Sequence, residues 1–369
     1  MSLVLNEEEI MLRDSAAGFL AEHANVDAFR KHRDNPPPAG FDSSLWSSIA
    51  EMGWCGIAID EEHGGLGYGY TGLGLIIEQM GRNLTVSPFN STVLMAATAI
   101  AQFGTADQKA AWLPKIASGE VVVSFAIQEG GIFDLDTLKQ SVTENAGQAH
   151  LAVQKRQVLD AIAADAFVVV AKDTQGYQAF ILESDQVSVQ DQSMVDARRS
   201  ATVTIDTTVN PDQRMDAEAL NQGGLERALD IMNIGLAAEL LGVSAEAFEL
   251  TVGYLRERKQ FGKVIGSFQG LQHRAADLFA ELELCKSIVL QGLRAIDAGD
   301  DLSVIASGAK AKLAQISQRA TNEGIQMHGG IGMTDEYDIG FFIKRARVAE
   351  HTLGDFHYHL DRFAAQGGY

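Results

Sequence analysis

GGLERALDIMNIGLAAELLGVSAEAFELTVGYLRERKQFG, residues 223–262, decides how the rest of the chain is read. Leu225, Leu229, Met232, Leu236, Leu240 and Val243 recur at helical spacing, which places them on one apolar stripe. The spacing predicts a long amphipathic helix that starts near Gly223 and runs into Arg256-Glu257-Arg258-Lys259. Similar periodicity runs through 270–297, 303–328 and 338–365. Several long helices with short connections make a bundle.

Upstream the texture differs. Val121 to Ile127, Ala166 to Ala171, Gln178 to Leu182, Val187 to Val189 and Ala201 to Thr208 are short apolar or β-branched runs divided by turn residues. Such runs indicate a small antiparallel barrel or sandwich. From residue 6 to about 120 the signals are helical again. Asn6 with Glu9, and Thr105 with Gln108, read as capping boxes, and Asp42 reads as a cap with Gly53 as the stop. Asn35-Pro36-Pro37-Pro38 and Gly64-Gly65-Leu66-Gly67 read as loops. The fold class expected is therefore a multi-domain α and β chain. It has an N-terminal helical domain (1–120), a middle antiparallel β-barrel or sandwich (121–218) and a C-terminal four-helix bundle (219–369).

Composition bounds the function. Apolar residues make up 46% of the 369 and charged residues 21%, enough apolar surface to build cores without staples. The formal charge is −20, a field that repels nucleic acid and anionic membrane surfaces, so neither is expected as a partner. No run suggests a membrane span, and the start of the chain has no basic and apolar leader pattern. Cys55 and Cys285 are the only cysteines, far apart and outside any metal or redox spacing. Two reduced, buried thiols in a cytoplasmic protein are expected. His351, His357 and His359 lie close in sequence, but helical spacing scatters them, so no metal site is expected.

Two motifs carry chemistry. The first is Arg258-Lys259-Gln260-Phe261-Gly262 followed by Ile265-Gly266-Ser267-Phe268-Gln269; the second is Gln326-Met327-His328-Gly329-Gly330-Ile331-Gly332. Together, in this domain order, they resemble the acyl-CoA dehydrogenases, strongly from about Leu225 to Ala349. The resemblance implies FAD as cofactor, an acyl-CoA substrate and a dimer of dimers in which these groups reach across to the neighbouring subunit's FAD. The residue types fit. Arg258 offers a planar cation for diphosphate. Gln260, Gln269 and Gln326 donate or accept. Phe261 and Phe268, beside Ile265, give flat apolar surface, and Gly329 and Gly330 allow close backbone approach.

The reaction centre departs from the pattern. Most of the family places its proton-abstracting glutamate about twenty residues past the second motif, where this chain has Leu353. Other members place it on the first long helix, where this chain has Met232. Neither side chain takes a proton, so the base is unassigned. Asp230, Glu226, Glu350 and Asp355 are the nearest carboxylates. The family's flavin-ring seat, Thr-Glu-Pro-Gly-x-Gly-Ser-Asp, is replaced by Gln128-Glu129-Gly130-Gly131-Ile132-Phe133-Asp134. Its Lys-x-Trp-Ile-Thr-Asn-Gly becomes Lys155-Arg156-Gln157-Val158-Leu159-Asp160-Ala161. Distal FAD contacts retained beside an altered ring seat resemble one half of the family's bacterial heterotetramers, and that resemblance implies an FAD-dependent acyl-CoA dehydrogenase subunit that completes the site of a paralogous chain. The alternatives are a self-sufficient homotetramer with a displaced base such as Glu350 or Asp355, a non-catalytic scaffold, and a related flavin oxidase or monooxygenase.

Overall fold

The computed structural model describes residues 3–145 and 148–369, and among these six α-helices precede the first strand. They are α1 (Glu7–His23), α2 (Val26–Asp34), α3 (Ser43–Glu51), α4 (Tyr70–Arg82), α5 (Ala97–Phe103) and α6 (Ala106–Ala117). Their ends follow the expected caps. Asn6 and Glu9 close a reciprocal capping box on α1, and Thr105 and Gln108 close one on α6. Asp42 accepts from the Ser44 and Leu45 amides at the start of α3. These bonds satisfy amides that the first helical turn leaves without partners.

Strands follow: β1 (Val123–Ala126), β2 (Val142–Asn145), β3 (Gln148–Leu159), β4 (Ala166–Lys172), β5 (Tyr177–Glu183), β6 (Val187–Ser193) and β7 (Arg199–Val209). They form two sheets, ordered β1-β4-β5 and β2-β3-β7-β6. Both sheets supply one core, which includes Leu151, Phe167, Val169, Phe180, Leu182, Val203 and Ile205. Pairing is antiparallel except between β1 and β4, which run parallel. The expected antiparallel architecture is met, with this one parallel pair: the β2–β3 pair lies between β1 and β4 in the chain, the long connection that a parallel neighbour needs. Strand β3 escaped the sequence reading because its residues alternate between buried and exposed, so no apolar run marks it.

The C-terminal part holds the one-turn helix α7 (Ala217–Ala219) and the long helices α8 (Leu225–Glu257), α9 (Gln269–Asp297) and α10 (Ser303–His328). The hairpin β8 (Lys259–Gln260) and β9 (Lys263–Val264) joins α8 to α9. The periodic stretch 338–365 is two helices, α11 (Ile339–His351) and α12 (Phe356–Gln366). The break falls where Leu353 and Gly354 take φ of 56° and 109°, left-handed values that no α-helix continues through. Helical residues 217–257 are long and apolar enough to cross a membrane, which corrects the expectation of no such run. The most apolar window of that stretch is wholly buried in the protein.

Contacts group the chain into two units. One contains Lys31–Leu73 and Val86–Met232, and so holds both sheets. The other contains the segment up to Arg30, Gly74–Thr85 and Asn233–Tyr369. In the second unit, α1 is tied to α9 by Arg294, which grips the Glu9 carboxylate (Nη2 to Oε2 2.6 Å). Helices α4 and α8 cross there with backbones touching: a Cβ on Gly242 would stand 1.9 Å from the Glu78 carbonyl oxygen, and one on Gly81 would stand 2.4 Å from that of Glu239.

Candidate functional site

The first motif is the hairpin that ends α8. Its two central residues, Phe261 and Gly262, have φ of 53° and 77°. A two-residue turn of that hand matches the twist of the paired strands and needs positive φ at both positions. Glycine adopts it freely; phenylalanine is strained there. Phe261 is nevertheless 90% exposed, so no burial within the chain offsets the strain. Its ring meets Phe268 edge-on, at 6.1 Å between centroids, and Lys263 Nζ lies 4.3 Å over the Phe268 ring. Arg256, Arg258, Lys259 and Lys263 gather four cations around this turn in a chain of net charge −20.

Arg258, Gln260 and Gln269 are exposed, and Ile265 and Phe268 are half-buried. The backbone holds them in register: the Ile265 amide donates to the Arg258 carbonyl at 2.8 Å. Gln269 opens α9, whose start has no side-chain cap and so presents amides suited to an anion.

The second motif ends α10. Gln326, Gly329 and Gly330 are exposed. Nothing lies within 4 Å of a Cβ built on Gly329 or Gly330, and Gly329 has φ of 67°. An aromatic stack brings the two motifs side by side. Tyr254, one turn before Arg258, lies 4.4 Å from the His328 ring, and Tyr337 packs on both, at 5.8 and 4.5 Å. His328 is buried, with Nδ1 2.6 Å from the Gly324 carbonyl. Burial pushes its pKa below the ordinary imidazole value, against that hydrogen bond. One face of this unit therefore collects an exposed arginine, exposed amides, an exposed aromatic ring and an open double glycine. That donor set fits the diphosphate and adenosine end of FAD.

The expected base positions are apolar and closed. Leu353 is 5% exposed and Met232 fully buried. Each neighbouring carboxylate in the Leu353 turn has structural work. Asp355 caps α12 by accepting from the Tyr358 amide at 3.0 Å, and Glu350 is 7% exposed with Arg347 Nη1 at 3.0 Å. In the other unit Asp230 is buried in α8 and Glu226 is exposed.

The altered ring-seat segments are bonded to each other. Gln128 Nε2 donates to the Gly130 carbonyl at 3.0 Å and to Gln157 Oε1 at 3.2 Å, and the Arg156 amide donates to the Gln128 carbonyl at 2.7 Å. A bulge between Lys155 and Val158, with Gln157 at φ 53°, frees that amide from the β3–β7 ladder. Phe133, where the family has serine, is 3% exposed. Lys155 is fully buried and donates to Glu129 at 2.7 Å and to the Ile127 carbonyl at 3.1 Å.

Sequence reading missed the buried cations Lys155, Lys310 and Arg345. For Lys310 a signal existed: Ala306, Leu313, Ala314 and Ser317 are buried on the same helix at spacings that put Lys310 on the same stripe. Among the described residues no group of His, Cys, Asp and Glu is arranged to hold a metal.

Known proteins match this fold along its length. The family model described as acyl-CoA dehydrogenase, C-terminal domain, matches residues 224–367, and that for the N-terminal domain matches residues 6–120. Acyl-CoA dehydrogenase FadE12 of Mycobacterium tuberculosis is 30% identical over 94% of this chain and 92% of its own. The mitochondrial short/branched chain specific acyl-CoA dehydrogenase of Bos taurus is 26% identical over 97% and 85%. Among solved structures, butyryl-CoA dehydrogenase from Megasphaera elsdenii superposes with a TM-score of 0.91 at 23% identity over the whole of both chains. A variant of the Tcur3481-Tcur3483 steroid ACAD gives 0.89 at 27% identity over 98% and 99%. With two family models and full-length relatives in agreement, the chain belongs to the acyl-CoA dehydrogenase family of flavin oxidoreductase enzymes.

Proposed function

We propose that this chain is an FAD-dependent acyl-CoA dehydrogenase subunit that lends its distal FAD contacts to a paralogous chain, which supplies the flavin-ring seat and the base. The observation that carries the reading is the contrast between the two kinds of site. The Arg258–Gly330 face is open to solvent, with a strained aromatic residue at its tip. The base positions Leu353 and Met232 are buried and apolar.

Strain at an exposed residue persists where another task maintains it. In this reading Phe261 and Phe268 would offer apolar ring surface to the adenosine end of FAD, and Arg258 would pair with the diphosphate as a two-pronged donor. Gln260, Gln269 and Gln326 bond the remaining phosphate, ribose and adenine edges, and Gly329 and Gly330 admit the ligand against bare backbone. Ile265 fixes the turn through its bond to the Arg258 carbonyl. Held by these residues, FAD would supply the hydride acceptor for the acyl chain. This chain's own residues bind and orient it, and the proton goes to a carboxylate of the other subunit.

Two further findings favour the reading. Gln128 and Gln157, at two positions where the resemblance implies ring contacts, are bonded to each other. ChsE4-ChsE5 of Mycobacterium tuberculosis, solved as a complex, has a chain of the same fold, with a TM-score of 0.89 at 22% identity. A self-sufficient enzyme using Glu350 or Asp355 would have to free a carboxylate that already holds Arg347 or caps α12.

The test is Arg258→Ala in the complex isolated from the native host. Loss of a charge-assisted contact of about 1.5–3 kcal/mol lowers FAD affinity roughly ten- to a hundredfold. FAD occupancy equal to that of the unaltered complex after dialysis overturns the assignment.

A further inference from the structure

The turn between α11 and α12 is held from below by buried basic side chains. Lys310 of α10 is fully buried. Its Nζ donates to the Thr352 carbonyl at 2.6 Å, the Gly354 carbonyl at 3.1 Å and Asn233 Oδ1 of α8 at 3.4 Å. His359 of α12, also fully buried, has Nε2 3.1 Å from the intervening Leu353 carbonyl. All three successive carbonyls of the turn are thus met by a side chain of another element or of the following helix. Without them, the left-handed pair Leu353 and Gly354 would leave those oxygens buried and unsatisfied, at substantial cost. Gly354 has no room for a side chain, since a Cβ there would lie 2.5 Å from Tyr358 and 2.8 Å from His359 Nε2.

The same unit repeats the device. Buried Arg345 of α11 donates to the Leu84 and Thr85 carbonyls at 3.1 Å each, in a turn where Leu84 has φ of 53°. Glu239 of α8 lies 3.5 Å from Arg345 and also acts electrostatically on Lys310.

We propose that Lys310 is a positioning residue: its amino group latches the Thr352–Gly354 turn, and so fixes where Leu353 stands and where α12 begins. The inference is independent of which chain provides the base, because it concerns the placement of this turn alone.

The latch is sensitive to protonation. Burial pulls the Lys310 pKa down to about 7, while Glu350 of α11, Glu239 of α8 and Asp355 of the turn pull the other way. His359 faces Lys310 from α12, with Arg362 beside it; burial foremost, then the Lys310 charge, hold His359 down to about 2. It therefore stays neutral above that pH. Opening the turn to water returns Lys310 toward its ordinary, higher pKa, so the open state binds more protons than the closed one. Linkage then makes opening easier as pH falls from above 9 toward 7. The neutral amine keeps two N–H donors, which suffice for the two carbonyls and leave only the longest contact, to Asn233, without a proton.

Amide hydrogen exchange on the intact complex, corrected for intrinsic rate, tests this over residues 352–360. In the unaltered protein, protection of this segment should rise severalfold between pH 7 and pH 9, while the β4 strand stays constant. Lys310→Met keeps the bulk but removes the donors. It should raise exchange of 352–360 about tenfold or more at pH 8 and abolish the pH response. A folded Lys310→Met protein with unaltered exchange there overturns the proposal. If that variant does not fold, the unaltered protein still decides: a flat profile for 352–360 from pH 7 to pH 9 overturns it equally.

Discussion

Replacing Phe261 with asparagine separates what the hairpin needs from what the ligand needs. Phe261 sits at φ 53° ahead of Gly262 at 77°, and Asn-Gly is the pair this turn type favours most. A left-handed backbone costs an ordinary residue about 1–2 kcal/mol, and asparagine escapes much of that. The side chain is 90% exposed, so its removal sacrifices little packing beyond the edge-on contact with Phe268. Phe261→Asn should therefore stabilise the hairpin by roughly 1 kcal/mol, read as about a fivefold slower amide exchange in residues 259–264. The same change should weaken FAD. Burying a phenylalanine side chain is worth about 1.5–3 kcal/mol, so FAD affinity of the complex should fall roughly ten- to a hundredfold. Titrating FAD into the flavin-stripped complex and following its fluorescence gives that number. A better-protected hairpin with unchanged FAD affinity would refute the reasoning, because the strain would then have no ligand to explain it.

Other substitutions probe the frame around the site. Gly242→Ala should destabilise the bundle by at least about 1–3 kcal/mol, since its Cβ would meet the Glu78 carbonyl at 1.9 Å; urea midpoints measure this, and an unshifted midpoint contradicts the helix crossing. Lys155→Met strands the Glu129 carboxylate, 8% exposed, and should cost about 3–5 kcal/mol, whereas pairing it with Glu129→Gln should recover much of the loss in a double-mutant cycle. Cys55 and Cys285 are fully buried, and burial pushes both thiols up to about 12; an aromatic disulfide reagent at pH 8 should label neither until the protein is unfolded, as absorbance of the released thiolate would show.

Caps and stripes were legible in the sequence because they are local. Asn6 with Glu9 and Thr105 with Gln108 need only their own helical turns, and both close as expected. The α8 stripe likewise follows from spacing alone. What failed to show was anything set by a distant partner. Strand β3 carries Gln154, Lys155, Arg156 and Gln157 in one run and becomes a strand because β2 and β7 flank it. The break at Leu353 lies inside a continuous helical period. There Lys310, more than forty residues earlier, donates to the Thr352 and Gly354 carbonyls that the break leaves without helical partners. The motif residues were legible, but not that Tyr254, His328 and Tyr337 would bind their two segments together, since an aromatic residue in a helical pattern reads first as core.

In the proposed function the open Arg258–Gly330 face serves a flavin seated in another chain. Native mass spectrometry of the complex taken from its host, with FAD quantified in the same sample, addresses that directly. The result predicted is two unlike chains in equal number with one FAD for each unlike pair. A homo-oligomer of this chain alone, with one FAD per chain and activity on an acyl-CoA, would contradict it.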